Sequence, residues 1–136
     1  NGPTAKGRDD GLRLHDCIIT SAIRCAPPAN KPTPRQIRNC YPYLSAEFDA
    51  LPRLQIIIAL GSIGFKAALG LLADKGFQFS TSRPKFGHGA QACASNGKRK
   101  IALISSFHPS QQNTNTGKLT IAMFDTIFEQ AKKLLV

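Results

Sequence analysis

The chain has 136 residues, 42% of them apolar, which is ordinary for a soluble globular protein and enough for one domain with a hydrophobic core. No stretch approaches the length of a membrane-spanning helix, and no signal peptide is visible. The formal charge of +10 favours an acidic partner, but the basic residues are dispersed apart from Lys98-Arg99-Lys100 and Lys132-Lys133, so a solvated face competes with that reading.

Residues 1–11 are polar, contain Pro3 and read as a loop or tail; the first residue is Asn1 rather than Met. Residues 17–23 are apolar and partly β-branched, which predicts a buried strand. A stiff loop with Pro27, Pro28 and Pro32 follows. Thr33 then starts a helix, with Pro34 at its first position and Gln36 completing a capping box. The stripe Ile37, Tyr41, Leu44, Phe48, Leu51 has helical spacing, and Pro42 is expected to kink or split that helix. Residues 54–60 are nearly all apolar, as in a strand buried on both faces of a parallel sheet. Gly61-Ser62-Ile63-Gly64 leads into a helix that runs through Leu72 and ends near Gly76. Residues 77–96 read as irregular, with Phe79, Phe86 and His88; residues 100–107 read as the next strand. The run SFHPSQQNTNTGKLT, residues 106–120, precedes a helix carrying Ile121, Phe124, Phe128, Ala131 and Leu135 on one face. Strands alternating with helices predict an α/β fold with a parallel sheet.

The Pro-rich, Gly-Ser and His-Pro-Ser loops each follow a predicted strand, so a parallel sheet would gather all three at one edge, where ligands of open α/β sheets bind. Residues 61–64 allow backbone N–H groups at a helix N-terminus to approach a phosphate, though a tight turn that merely packs fits equally well. The prolines, with Arg24, Lys31 and Arg35 around them, form either a rigid basic rim or a structural corner. His108 can donate a hydrogen bond to a developing negative charge. A lone histidine is more often structural, but this one has Ser110 and Asn113 beside it in a loop. Cys17, Cys25, Cys40 and Cys93 form no C-x-x-C pair; disulfides are disfavoured, and spacing alone predicts four buried thiols ahead of metal ligands.

Four blocks, ITSAIRCAPPANKPTP, IIALGSIGFKAAL, FGHGA and SFHPSQQNTNTGKLT, taken in order and spacing, resemble the uracil-DNA glycosylases of family 5 (type B). The family 4 enzymes, which share the HPS loop, are a weaker match: Ser21 stands where they usually carry Asn, and the NTNTGKLT extension favours family 5. The resemblance implies a three-layer α/β/α fold and a single glycosylase-like domain over residues 1–136, incomplete at its N-terminus. It implies an enzyme of DNA base-excision repair that flips uracil, with other deaminated bases as further candidates, out of the stack and hydrolyses its N-glycosidic bond.

By the same resemblance His108 stabilises the departing base, and Asn30 lies in the pocket, as base reader or water positioner. Gly61 and Ser62 hold phosphate. Ser110, Gln111 and Asn113 press into the duplex, and Pro27, Pro28 and Lys31 lie against DNA. No nucleotide cofactor is implied. A [4Fe–4S] cluster is, with Cys25 and Cys40 as two of its four thiolates, while Cys17 and Cys93 stay buried thiols. The remaining ligands, a first strand, a glycine- and alanine-rich pocket motif and an acidic residue belong to an N-terminal third not present here, so this chain alone is expected neither to assemble the cluster nor to be active. Uracil-containing DNA as partner, no membrane, a cytoplasmic prokaryotic-type enzyme and a monomer complete the expectation. The alternative is a non-catalytic nucleic-acid-binding remnant of such an enzyme.

Overall fold

The computed structural model describes residues 6–135, apart from the side chain of Asn30. Helix α1, Pro34–Asp49, begins with a reciprocal cap: the Gln36 N–H donates to Thr33 Oγ1 (3.2 Å) and the Thr33 N–H donates to Gln36 Oε1 (2.8 Å). Pro42 neither splits nor ends it. Pro42 and Arg38 are both exposed, so water can serve the carbonyl that the proline leaves free. Strand β1, Ile56–Leu60, runs straight into helix α2, Gly61–Asp74. Strands β2 (Gln78–Phe79), β3 (Gln91–Ser95) and β4 (Lys100–Ser106) follow, then the short α3 (Gln111–Asn115) and α4 (Ile121–Leu134).

The four strands lie in the order β1-β4-β3-β2. β1 and β4 are parallel, from Ile56 opposite Ala102 to Leu60 opposite Ser106. Alternate residues then face opposite sides. Ala59 and Leu103 pack on Phe65 and Ala68 of α2, and Ile101 joins Leu71, Leu72 and Phe48 of α1. Ile104 on the other face meets Ile127 and Ala131 of α4, flanked by Ile56 and Ile58. This is the expected three-layer arrangement. Leu72, Ile101, Leu103, Ile104 and Ile127 are fully buried, each stabilising the fold by about 1.5–3 kcal/mol.

The structure corrects several expectations. The sheet holds one parallel pair; β3 is antiparallel to both β4 and β2. A tight turn explains it: Asn96 Oδ1 accepts the N–H groups of Lys98 and Arg99, and Gly97 sits at φ +84°. So short a connection can join only antiparallel strands. Residues 77–96 therefore contain two strands, unseen because Gln91-Ala-Cys-Ala-Ser lacks β-branched and aromatic residues.

Residues 17–23 form no strand, and residues 17–21 are exposed. Side chains fasten this segment instead: the Thr20 hydroxyl and the Arg24 guanidinium both bond the Glu47 carboxylate on α1. Cys17, Cys25 and Cys93 are exposed and Cys40 is half-buried, so the buried-thiol expectation fails. Cys93 lies on the outward side of β3, whose Ala94 points into the core. On α4 the buried stripe is Ile127 and Ala131, while Ile121, Phe128 and, just past its end, Leu135 are exposed. No helix among the described residues is long and apolar enough to cross a membrane.

Candidate functional site

Because β1 and β4 are parallel neighbours, the loops after them leave the same edge. Gly61 follows β1 directly, in a left-handed conformation (φ +83°), and a Cβ there would stand 3.2 Å from His108 Cβ. Glycine is thus required both for the backbone angle and for the close approach of His108. Ser62 sits exposed in the first turn of α2, whose N-cap residue, Leu60, gives no side-chain cap. The N–H groups of that turn carry partial positive charge and favour an anion.

The backbone of His108 is held tightly while its ring is exposed. Its carbonyl accepts from the Ser110 N–H (2.8 Å) and from Asn113 Nδ2 (2.9 Å). Ser110 Oγ caps α3 by accepting the Asn113 N–H (3.2 Å), and Thr114 Oγ1 donates back to the Ser110 carbonyl (2.9 Å). The Asn113 carbonyl accepts the N–H of buried Leu119 (3.0 Å), which closes the loop onto the core. Ser110 and Asn113 therefore shape the loop, and Gln111 projects from it exposed.

Beneath this loop lies a run of rings that the sequence did not reveal. Phe65 packs on Phe86 (5.7 Å between centroids), Phe86 on Phe107 (6.3 Å) and Phe107 on His88 (5.0 Å). Lys118 Nζ stands 4.9 Å from the centre of the Phe107 ring. The FGHGA block gave the location of Phe86 and His88, but not their partners Phe65, Ser106, Phe107 and Met123, 18 or more residues away in α2, β4, the loop after it and α4.

The Pro-rich loop forms a separate group. Pro28–Asn30 is a single 3-10 turn in which the Lys31 N–H donates to the Pro28 carbonyl (3.1 Å) and Ala29 takes φ +53°. Lys31 and Pro28 are exposed and Pro27 is half-buried; the Asn30 side chain lies outside the described residues. This loop does not follow a strand, so the premise that carried it to the same edge as Gly61 and His108 is overturned. It neighbours the cysteines instead. Cys40 Sγ accepts the N–H of Arg24, the residue before Cys25, at 3.5 Å. Arg24 also lies over the Tyr43 ring (5.1 Å). Hydrogen bonds from Thr20 first, then Arg24, hold the Glu47 carboxyl below its usual range. Among the described residues no group of three or more His, Cys, Asp or Glu is assembled to hold a metal.

A three-layer sheet with a glycine turn and a histidine loop at the ends of adjacent parallel strands defines an α/β protein with its candidate site on one sheet edge. The family model of the uracil DNA glycosylase superfamily matches residues 5–132, and the chain belongs to that superfamily. It is 42% identical over 135 residues to a type-5 uracil-DNA glycosylase of Mycobacterium bovis, covering 98% of this chain and 48% of the relative. To the type-5 enzyme of Thermus thermophilus it is 42% identical over 125 residues, covering 92% and 53%. A type-4 uracil-DNA glycosylase of Archaeoglobus fulgidus matches less well, at 31% over 102 residues, covering 74% and 48%. The chain spans about half the length of the curated relatives it matches.

Proposed function

We propose that the whole protein is a type-5 uracil-DNA glycosylase that hydrolyses the N-glycosidic bond of uracil in DNA. The observation that carries this reading is the seat of His108 against Gly61, at the ends of two adjacent parallel strands. The bond between the sugar C1′ and the base nitrogen breaks, and its electron pair stays on the uracil. Water adds its oxygen to C1′ and loses a proton; the base takes one up. His108, rigid in its backbone and exposed at its ring, donates a hydrogen bond to the uracil oxygen as charge develops there. Gly61 and Ser62, at the N-terminus of α2, receive a phosphate. The Ser110–Asn113 loop enters the duplex where the base has left, with Gln111 foremost. In the same reading Asn30 serves as base reader or water positioner, and Pro27, Pro28 and Lys31 lie against DNA.

Cys25 and Cys40 fit part of a four-thiolate set: the bond from Arg24 to Cys40 brings the sulfur of one beside the backbone next to the other. In this reading they would supply two of the four thiolates that hold a [4Fe–4S] cluster in the whole protein. The partner is DNA, the protein acts as a monomer, and its compartment is the cytoplasm. A non-catalytic remnant is not favoured by the matches to enzymes along nearly the whole chain.

The test is His108→Ala in the whole protein, by single-turnover kinetics on a uracil-containing duplex. A rate lower by about a hundred- to a thousand-fold at nearly unchanged DNA affinity is expected, because one donor to the developing charge is lost. An unchanged rate sinks the assignment.

A further inference from the structure

His88, in the loop between β2 and β3, touches the turn that delivers His108 in two ways and the start of α4 in a third. Its Nδ1 accepts the Phe107 N–H at 3.2 Å. Its Nε2 lies 3.1 Å from the carbonyl oxygen of Met123, in the first turn of α4. Its ring stacks on the Phe107 ring, 5.0 Å between centroids and tilted by 35°. Buried Ser106 braces the same place: its Oγ donates to the Phe107 carbonyl at 2.9 Å and lies 3.5 Å from His88 Nδ1.

These contacts decide which ring nitrogen carries the proton. A peptide N–H can only donate and a carbonyl can only accept, so Nδ1 must present a lone pair and Nε2 its hydrogen. The neutral Nε2–H tautomer alone satisfies both partners. An imidazolium would set one N–H against another, and the opposite tautomer would fail at both ends. The loop holding His88 is itself laced to β4. Ser105 Oγ donates to the Gly87 carbonyl (2.6 Å), and the Gly89 N–H donates to the Ser105 carbonyl (2.8 Å).

We infer that His88 is a positioning residue for His108: as a neutral imidazole it ties the Phe107 peptide to the start of α4 and so fixes the seat of His108 against Gly61. The inference rests on the glycosylase reading for its catalytic consequence. A reacting group displaced by about 1 Å can lose about a hundred-fold in rate.

In the whole protein, H88F keeps a ring to stack on Phe107 but offers neither nitrogen, whereas H88N brings an acceptor oxygen close to where Nδ1 stood. H88F is expected to slow single-turnover uracil excision by about 10- to 100-fold while DNA Kd stays within about twofold, and H88N to recover most of the loss. H88F as fast as wild type, or H88N as slow as H88F, overturns the inference. Nitrogen-15 NMR of the His88 ring in the wild type is expected to find the neutral Nε2–H tautomer; the Nδ1–H tautomer or a freely exchanging ring overturns it as well. The NMR arm needs no catalysis and no folded variant. A wild type that leaves uracil in place defeats the functional reading, and the tautomer still decides the clamp.

Discussion

Gly61 carries two constraints in one residue, and each has a measurable consequence. Alanine at φ +83° costs about 1–2 kcal/mol of backbone strain, and its methyl would press on His108 Cβ at 3.2 Å. Gly61→Ala is therefore expected to lower stability in urea by that amount and to slow uracil excision as well; full activity would show that the approach of the two loops is dispensable. Tyr41 makes a different prediction. Its hydroxyl donates to the Asp74 carboxylate (2.6 Å) and is pushed up to about 12, chiefly by burial and then by that bond. The folded state thus holds the phenol proton more tightly than the unfolded chain does. The stabilisation is complete below the ordinary value of 10.0 and is lost as pH rises towards about 12. Tyr41→Phe should cost about 0.5–1.5 kcal/mol at neutral pH and flatten the alkaline loss, as followed by denaturation across pH. At this scale the sequence reveals what local chemistry reveals. His108 and Ser110 read as loop residues because their signals lie within a few positions, whereas the cap that Ser110 gives α3 appears only in the structure. His88 reads only as part of a block, because its bonds run to Phe107 and Met123, 19 and 35 residues away.

Among the elements, the caps and the long strands are legible and the side-chain straps are not. Thr33, Pro34 and Gln36 announce α1 because capping is local; the Ile56–Leu60 strand announces itself because burial on both faces leaves no polar residue in it. Residues 17–23 mislead because Ile18, Ile19 and Ile23 satisfy a strand pattern, while the bonds that fix the segment come from Glu47, 23 residues beyond Arg24. Those bonds also set the cysteines. The Glu47 carboxyl is held below its ordinary value of 4.5, so the strap is fully formed above that pH and released as pH falls through the lowered value. Glu47→Gln should cost at most about 1 kcal/mol, since Arg24 and Glu47 are both partly exposed. It should also make the Cys40 thiol react faster with a thiol reagent, because the Arg24 N–H that covers the sulfur is no longer held. An unchanged rate of modification would mean that the segment is held by something other than Glu47.

For the molecule as a whole, the formal charge of +10 and the proposed cluster each lead to a measurable expectation. In the glycosylase reading, contacts from the basic side chains to phosphates are expected to make DNA binding steeply salt-dependent, and Lys118, over the Phe107 ring beside the His108 loop, is proposed as one of them. Lys118→Ala should reduce the slope of log K against log salt by about 0.9, read by fluorescence anisotropy across a salt series. The α/β class was legible from strand–helix alternation, but the mixed sheet was not, since hairpin pairing across Asn96 and Gly97 depends on turn geometry rather than on period. The same sheet limits where a cluster can form. Cys93 is fixed in β3 opposite Ala102, and its carbonyl accepts the Ser80 N–H at 2.9 Å, so it cannot swing towards Cys25 without breaking the ladder. Cys17 lies exposed in the strapped segment, eight residues before Cys25. Two thiolates would leave half the irons of a [4Fe–4S] cluster without protein ligands and open to oxygen. A polypeptide of these 136 residues alone is therefore expected to purify colourless and short of stoichiometric iron. The whole protein should be brown, with broad sulfur-to-iron charge-transfer absorbance. Iron and sulfide analysis of both decides it. A full cluster on the shorter polypeptide would make Cys17 and Cys93 ligands and require β3 to open.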